Sequence, residues 1–472
     1  TKIEKVTFPS SLLEIKESAF LSANLSSVQF DGTPQLTTIG GNAFRTTKLE
    51  TFECPSSLKY IEGNYTFYTS SLKSISLNEG LESLGNYTFY GSGITEVNIP
   101  KTVKSVGTGV FQNIKSLETA KFEGENTQLN NTYQIFYNCD KLKTVDMSGL
   151  TALTSISNGA FANCSSLSEI QIPNTVTSIG DATFQSCSGL TSVLIPNSVT
   201  SIGERAFDIC CKLTSITIPD SVTSIGSHAF SFCSGLTSVV IPNTVTSIGE
   251  YAFSNCKKLT SVIISSGVAS IGDYTFADCT SLSSITIPDS VTSIGNAAFQ
   301  YCSGLTSVTI PNTVTEISKY VFQDVPTQGD LYCDEDWYNN LTQEQITNLG
   351  NVYYWQRHNI DPTPTPTVVY SSTTTIEEYC NGYDWTRDTT VHYLSGYSDS
   401  TLVEYSAKTT TSVLEHNSVE HCGYIPEDIV IKNENKYSLY RKQITRDGGQ
   451  TWLNTNEYYA ELKEENSPDC RN

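Results

Sequence analysis

The sequence predicts a mainly β protein built by repetition of one structural unit, and three observations carry that prediction. A Phe recurs every 23 residues, at Phe161, Phe184, Phe207, Phe230, Phe253, Phe276, Phe299 and Phe322. A Cys follows three residues later in seven of these units, at Cys164, Cys187, Cys210, Cys233, Cys256, Cys279 and Cys302. Within a unit the apolar residues lie three or five apart, which fits neither a long helix nor strict strand alternation. We therefore expect a solenoid, a coil that points apolar side chains at its own axis.

Each unit carries local signals for its parts, as residues 195–217 illustrate. Residues 213–218 are short and β-branched and end at Pro219, which lacks the N–H that a strand ladder needs, so we predict a strand. Residues 202–203 close a second extended piece. Residues 204–207 suit one tight helical or 3₁₀ turn, and Gly203 would permit a left-handed backbone there. Stacked at about 4.8 Å, such units bury one another's open sides.

The earlier units are less regular. The same Phe position recurs at spacings of 22 to 25 residues, at Phe20, Phe44, Phe67, Phe89, Phe111 and Phe136. The solenoid therefore comprises about fourteen units of 22–25 residues. Residues 1–157 also carry extra segments, such as residues 124–131, that we expect to bulge as loops, and loops are favoured places for binding.

The repeated pattern IPxSVTSIGxxAFxxCxxLTSV resembles the BspA-like leucine-rich repeats of bacterial cell-surface proteins. The resemblance covers residues 1–325 and is nearly residue for residue between Phe161 and Phe322. It implies a leucine-rich-repeat solenoid. It also implies an adhesin that binds host proteins or other cells, although a fold alone does not determine function.

Composition agrees with an extracellular or cell-surface scaffold. Only 16% of the 472 residues are charged, and the net charge is −21. Such a surface disfavours nucleic acid and anionic membranes as partners. No stretch of about 18 apolar residues occurs, so we expect no membrane insertion within this chain. The diffuse acidity, with a Ser-, Thr- and Asn-rich coat, favours solubility.

The first coil opens inside a predicted strand, where Ile3, Val6, Phe8 and Pro9 match the strand of a regular unit. A solenoid end without a polar cap exposes an apolar ladder and a strand edge. We therefore expect that further residues precede Thr1 or that another chain covers this end, with self-association as one possibility.

Of the fourteen cysteines, Cys139 and the seven of the regular series occupy one equivalent position. We expect small buried side chains there rather than disulfides, although stacked neighbours about 5 Å apart could form them. A zinc row is disfavoured because zinc needs tetrahedral ligands and a ladder supplies a line. Cys211 should face the other way. Outside the series, Cys380 and Cys422 form a candidate disulfide in an oxidising compartment.

The chain beyond residue 325 changes character. Residues 326–360 are predicted to be a solenoid cap, with a capping box at Thr342 and Gln345, a helix over residues 343–349 and Gly350 at its end. Five aromatic residues could cover the last coil or, alternatively, stack on carbohydrate; they are Trp337, Tyr338, Tyr353, Tyr354 and Trp355. Residues 361–367 form a stiff Pro-Thr linker. Two related β modules follow, over residues 368–428 and 429–472.

The sequence contains no pattern of a catalytic, cofactor-binding or metal site. HExxH, phosphate-binding loops and GxSxG are all missing from the 472 residues. Residues 445–452 match a single Asp-box, which we interpret as a hairpin because propeller enzymes need several. His416, His421 and Cys422 could supply three metal ligands, but no second cluster completes a site. We therefore expect no cofactor and no enzymatic activity, with a glycan-active enzyme as the least favoured alternative.

The wide sheet face offers the candidate binding surface. The outward-facing strand positions are Gln171, Leu194, Thr217, Val240, Ile263, Thr286 and Thr309. Apolar residues among them indicate either a binding patch or only the β-propensity of a strand. The favoured hypothesis is a surface-displayed or secreted protein that binds a host or neighbouring-cell protein or glycan. The alternative is a subunit of a larger extracellular assembly, such as a filament or phage appendage, stacking through the Thr1 end.

Overall fold

The structure, a computed structural model, describes residues 2–124 and 132–360 in full and the backbone of five later strands. The chain divides into two compact units, Thr1–Asp361 and Pro362–Asn472. The first unit is the predicted mainly β solenoid. Most turns contribute short strands to parallel ladders in which equivalent residues of neighbouring turns pair. The strand predicted over residues 213–218 is not formed. Its inward residues Ile216 and Ile218 are nevertheless buried, because the packing between turns holds this segment in place without regular strand pairing.

The first ladder contains the longer strands, which pair in parallel groups of two to four. Its register is set by the repeat, so that Val239 lies beside Val262 and Ile285 beside Val308. Its strands are Lys5–Pro9, Ser27–Asp31, Thr51–Glu53, Ser74–Ser76, Glu96–Ile99, Thr119–Phe122, Thr144–Asp146, Glu169–Gln171, Ser192–Leu194, Ser238–Ile241, Ser261–Ile264, Ser284–Thr286, Ser307–Ile310, Asp330–Cys333 and Gln356–Asn359.

The second ladder contains the predicted second extended piece, and it is confirmed as a row of short parallel strands. Its Ile residues point inward; Ile202 and Ile225, for example, are both 2% exposed. Its strands are Glu14–Ile15, Thr38–Ile39, Tyr60–Asn64, Ser83–Asn86, Ser105–Val106, Ser155–Ile156, Ser178–Ile179, Ser201–Ile202, Ser224–Ile225, Ser247–Ile248, Ser270–Ile271, Ser293–Ile294 and Glu316–Ile317.

The third side of each turn differs from the sequence prediction. Residues 204–209 form consecutive turns and no helix. Arg205, Phe207 and Ile209 donate their backbone N–H groups to carbonyls of the next turn, at 2.7–2.9 Å. The predicted tight turn is present, since Ala206 and Asp208 donate to carbonyls three residues back at 3.3 and 3.1 Å. A regular helical turn is not formed, because the alternate donors serve the neighbouring turn instead of their own.

The left-handed backbone also lies elsewhere than predicted. Arg205 and Ile209 have φ values of 56° and 62°, whereas Gly203 does not have a positive φ. A Cβ on Gly203 would lie 2.6 Å from the carbonyl carbon of Gly180. Glycine is therefore required at this position by the close approach of stacked turns, and not by backbone handedness.

The core is a continuous column of Phe rings along the solenoid axis. Fourteen rings, from Phe20 to Phe322, stack with neighbouring centroids 5.2–5.6 Å apart and at most 17° between planes. The fourteen predicted units therefore stack as one column, and two further strands of the first ladder follow the last of them. The spacing slightly exceeds the separation of paired strands, as offset aromatic stacking allows.

The segment after the last Phe unit closes this end of the solenoid. Helices α1 (Glu335–Asn339) and α2 (Gln343–Leu349) precede a 3₁₀ helix, Gly350–Tyr354. The capping box of α2 is present as predicted: Gln345 N–H donates to Thr342 Oγ1 at 3.2 Å, and Gln345 Oε1 accepts from Thr342 N–H at 2.8 Å. Helix α1 was not predicted; its first residues are capped by the Asp334 carboxylate.

Four of the five aromatic residues of this segment lie against the last turns. Trp355 is 4% exposed, and Trp337, Tyr338 and Tyr353 are half-buried against the core. The indole N–H of Trp337 donates to the Val314 carbonyl at 2.7 Å. Tyr354 is 75% exposed and does not contribute to this packing. The arrangement explains why the aromatic residues cluster here, since they replace the missing next turn.

The second unit is an antiparallel sheet of five strands. The strands of the two predicted β modules lie in this one sheet, joined where Thr374 pairs with Leu439. The boundary between the modules stays a prediction. The linker, Cys422, His416, His421 and the loop of the Asp-box lie outside the described residues. The strands are Val368–Asn381, Asp384–Tyr397, Val403–Glu415, Lys436–Thr445 and Trp452–Glu464.

Two Phe residues of one turn provide a test of the stacked core. Phe230 is fully buried in the Phe column, whereas Phe232 is 49% exposed. We expect Phe230→Ala to lower the free energy of unfolding by about 3–5 kcal/mol, since it leaves a cavity between two stacked rings. The matched Phe232→Ala should change it by less than about 0.5 kcal/mol. Urea unfolding followed by circular dichroism measures both, and equal losses would contradict the stacked column.

Candidate recognition surfaces

Six of the seven predicted outward positions lie on strands of the first ladder, whereas Thr217 holds the equivalent place in a turn that forms no strand there. Gln171 pairs with Leu194, Val240 with Ile263, and Thr286 with Thr309. Leu194 is 45% exposed, Gln171 is exposed, and the other five side chains are half-buried. We call this set the strand-face column; it comprises Gln171, Leu194, Thr217, Val240, Ile263, Thr286 and Thr309.

The column changes chemical character along the solenoid. Before Gln171, the equivalent positions are polar or charged; they are Glu53, Ser76, Asn98, Lys121 and Asp146. From Leu194 to Thr309, the residues of the strand-face column are either aliphatic or threonine. Beyond the strand-face column, the equivalent positions of the next two strands are Tyr332 and His358, whose rings stack 4.8 Å apart. His358 Nε2 lies 2.8 Å from Asp330 Oδ1. These last two residues were missed in the sequence because they follow the final regular unit.

Hydroxyls beside the column are used by the fold itself. They donate to a carbonyl one turn earlier at 3.0–3.5 Å, and belong to Thr191, Thr214, Thr237, Thr260 and Thr306. Their donor protons are therefore not available to a ligand. The variable chemistry of this face resides in the strand-face column.

The Cys row is structural, as the sequence analysis predicted. All eight thiols are free and buried. Each Sγ donates to the carbonyl of a Phe in the preceding turn, as Cys210 does to Phe184 at 3.3 Å. In earlier turns the same position is held by Ala23, Thr47, Ser70, Ser92 and Ile114. Cys211, the neighbour of Cys210, is half-buried. Cys422 lies outside the described residues, so the Cys380–Cys422 disulfide stays a prediction.

A second surface feature, missed by the sequence analysis, is a cluster of four tyrosines. The pentapeptide NYTFY occurs at residues 64–68 and again at residues 86–90, and this repeat is the signal that could have revealed it. Tyr65 stacks on Tyr87 with centroids 5.2 Å apart, and Tyr68 stacks on Tyr90 at 4.6 Å. The two stacks meet edge to face, at 5.1 and 6.3 Å. We call these four residues the tyrosine cluster.

One end of the tyrosine cluster is covered by a cation. The Arg45 guanidinium lies 5.3 Å from the Tyr65 ring centroid and 4.9 Å from that of Tyr68. At the other end, a Cβ on Gly109 would come within 2.5 Å of the Tyr87 ring. Gly109 therefore lets this ring lie flat on the backbone. The ring faces are largely occupied within the protein, and the ring edges and hydroxyls remain for contacts.

Metal clusters and membrane-spanning helices do not occur in the described part of the chain. Residues 2–124 and 132–360 hold no group of three His, Cys, Asp or Glu side chains placed to bind a metal. Across the same described residues, the helices are too short and too polar to span a bilayer.

Comparison with known proteins supports the repeat assignment. A family profile described as BspA type leucine-rich repeat region, in 6 copies, matches residues 1–118, 82–210, 116–235 and 209–328. A crystal structure of a leucine-rich repeat protein from Bacteroides ovatus ATCC 8483 is 24% identical, with a TM-score of 0.57; the alignment covers 76% of this chain and 92% of that chain. This likeness supports the fold.

Two further solved structures are less similar in three dimensions. A leucine-rich cell surface protein from Faecalibacterium prausnitzii A2-165 is 26% identical over 64% of this chain and 90% of that chain, with a TM-score of 0.36. The pneumococcal vaccine antigen PcpA is 20% identical over 76% and 80%, with a TM-score of 0.44. No curated protein sequence matches this chain.

The buried Cys row predicts a steep alkaline loss of stability. Burial raises the pKa of Cys139, Cys187 and Cys302 to about 12 and raises the pKa of the other thiols in the row. An unfolded thiol ionises near pKa 8.5. Since the folded pKa is the higher one, the stabilisation is complete below that unfolded value and is lost as pH rises toward the folded pKa.

Each buried thiol should then lower the free energy of unfolding by about 1.4 kcal/mol for every pH unit above about pH 9. We expect the variant Cys210→Ala/Cys233→Ala to lose stability less steeply, by about 2.8 kcal/mol per pH unit for the two thiols removed. Urea unfolding at pH 7, 9, 10 and 10.5 measures the slope. Phe232→Ala, which keeps every thiol, is the control and should retain the original slope. Identical slopes in all three proteins would show that these thiols do not control alkaline stability.

Proposed function

Because this chain belongs to the BspA-type leucine-rich repeat family, we propose that it is a surface-displayed or secreted binding protein. Its solenoid would recognise a protein or glycan on a host or neighbouring cell. The chain is a leucine-rich repeat protein of the bacterial surface type, which supports an extracellular or cell-surface location. The extended row of equivalent side chains suits recognition of a partner over a wide contact area.

The observation that carries this proposal is the aliphatic part of the strand-face column. Leu194, Val240 and Ile263 point outward from the first ladder, and Leu194 keeps 45% of its surface exposed. Apolar side chains surrounded by a polar rim are typical of the centre of a protein interface. Here the rim is supplied by the flanking Ser and Thr columns.

Strand propensity alone explains this column poorly. The same outward position holds Asn98, Lys121 and Asp146 in earlier turns, although these residue types are depleted in strands. A strand of this solenoid therefore tolerates polar outward residues. The replacement of polar by aliphatic residues over the later turns favours a binding patch.

The chemistry of the seven side chains in the strand-face column is that of a contact surface. The strand-face column presents aliphatic, hydroxyl and amide groups. It lacks a nucleophile beside a base, the arrangement that covalent catalysis needs. It also lacks the two facing carboxyls of a glycoside hydrolase.

Lysine substitutions on two sides of the solenoid test the proposal. We expect Val240→Lys/Ile263→Lys to weaken binding to the best ligand at least tenfold, because it places two charges in the apolar centre. The matched variant Thr223→Lys/Thr246→Lys changes two exposed positions that directly precede strands of the second ladder. It should bind as the original protein does. Purified extracellular-matrix proteins and a glycan array are the probes. Absence of binding across both panels, or equal loss in both variants, would contradict the proposal.

A further inference from the structure

We propose that the third to fifth turns carry a separate site for a neutral saccharide, formed by a polar groove and the tyrosine cluster beside it. This inference rests on the proposed role as a binding protein. It uses a different surface, since the groove belongs to the second ladder and the strand-face column to the first.

The groove arises where the repeat is broken by one residue. In the regular unit, Phe207 lies five positions after Ile202, whereas Phe67 lies six positions after Ile61. The strand pairing accordingly shifts register between Ile61 and Asn64. The resulting bulge bounds a groove of about 350 Å³ against the next two turns. This volume lies at the lower end of the range found for small-ligand sites, about 300–1,000 Å³.

The groove is lined by groups that suit sugar hydroxyls. It is lined by five polar residues, three glycines that expose the backbone, and three aliphatic residues. The aliphatic residues are at most 5% exposed, so the polar residues and the backbone supply most of the contacts offered to a ligand. The polar residues are Glu62, Asn64, Ser83, Asn86 and Ser105, and the aliphatic ones are Ile61, Leu84 and Val106. A sugar hydroxyl both donates and accepts hydrogen bonds. Amides, carboxylates and hydroxyls supply the complementary acceptors and donors.

The two amides are held in place before any ligand binds. Asn86 Nδ2 donates to Asn64 Oδ1 at 2.9 Å, and Asn86 Oδ1 accepts from the Thr108 N–H at 2.8 Å. Among the described residues, the Nδ2 group of Asn64 has no acceptor and stays available to a ligand. A site whose side chains are already ordered loses less entropy on binding.

Two residues of the tyrosine cluster are adjacent in the chain to residues that line this groove. Tyr65 follows Asn64 directly, and Tyr87 follows Asn86. Because the rings stack on one another, on Arg45 and on Gly109, they are rigid and present edges and hydroxyls rather than free faces. Rigid tyrosines provide contact area at low entropic cost. A flat aromatic ligand would need a free ring face, so a hydroxyl-rich ligand fits better.

The charges of the site favour a neutral saccharide over an acidic one. Glu62 is the single charged residue among those that line the groove, and it would repel an anion. The nearby Arg45 is occupied, since its guanidinium covers two tyrosine rings and Nη1 donates to Asn42 Oδ1 at 3.1 Å. The net charge of −21 also disfavours an anionic ligand.

Isothermal titration of the full chain with neutral hexasaccharides tests the site. The probes are gluco-, manno-, galacto- and xylo-oligosaccharides, with a sulfated and a sialylated oligosaccharide as acidic comparisons. We expect millimolar or tighter binding of at least one neutral probe, and about a tenfold weakening in Tyr65→Ala/Tyr87→Ala. The matched control is Tyr251→Ala/Tyr274→Ala, a stacked pair two residues before the buried Phe of its turns but far from the groove. It should bind as the original protein does.

Alanine is compatible with this backbone position. Ala182 and Ala297 occupy it in other turns, with φ values of 51° and 52°. Circular dichroism checks that each variant folds. If Tyr65→Ala/Tyr87→Ala does not fold, Asn64→Ala replaces it as the test variant. The same tenfold loss of saccharide affinity is expected, because this substitution removes the free amide donor.

The remaining outcomes separate this site from the proposed function. Failure of every neutral probe to bind, tighter binding of the acidic probes, or equal loss in the two tyrosine variants would each overturn the saccharide site. A protein ligand that is lost with Tyr65→Ala/Tyr87→Ala would also overturn it. If Val240→Lys/Ile263→Lys alone abolishes saccharide binding, the proposed function stands and this site does not.

Discussion

The stacking of each turn on its neighbour is the constraint on which this structure depends. A single turn cannot bury its own Phe, because both flat sides of the coil are open. Backbone groups on all three sides of a turn donate or accept across to the next turn, as Phe207 does to Ala229 at 2.7 Å. The separation of turns is thereby fixed, and the side chains of the core must fit it. This explains why one position holds Cys, Ala, Ser, Thr or Ile and why Gly203 cannot carry a Cβ.

The same constraint determines what a binding surface can be. Equivalent side chains recur in neighbouring turns about one strand spacing apart, so like residues form stacked rows, as Tyr251 and Tyr274 do at 4.5 Å. Regular turns offer columns of like side chains. A groove needs a break in the repeat, and the extra residue between Ile61 and Phe67 supplies one. The two proposed recognition surfaces, a wide face and a groove, therefore lie on different parts of one solenoid.

The sequence predicted those features that the repeat itself imposes. The Phe column, the buried Cys row, the two strand ladders and the capping box of α2 all follow from spacing or from local hydrogen-bonding groups. The helical form of the Phe turn was mispredicted because Arg205 and Ile209 adopt left-handed φ values to serve the next turn, and that demand is invisible within one unit. The tyrosine cluster was missed for a related reason. Its four rings are close only because residues 64–68 and 86–90 are stacked, and side-chain contacts between turns are not local signals.

Two separate surfaces on one rigid scaffold have an energetic consequence. A groove of about 350 Å³ and a shallow column of aliphatic side chains would each bind a ligand weakly alone, since both bury limited area. They lie on different ladders, so occupation of one does not block the other. The solenoid holds them at a fixed separation, which raises the effective concentration of the second contact once the first has formed. A partner that carries both protein and glycan, such as a glycosylated cell surface, would therefore be bound far more tightly than either component.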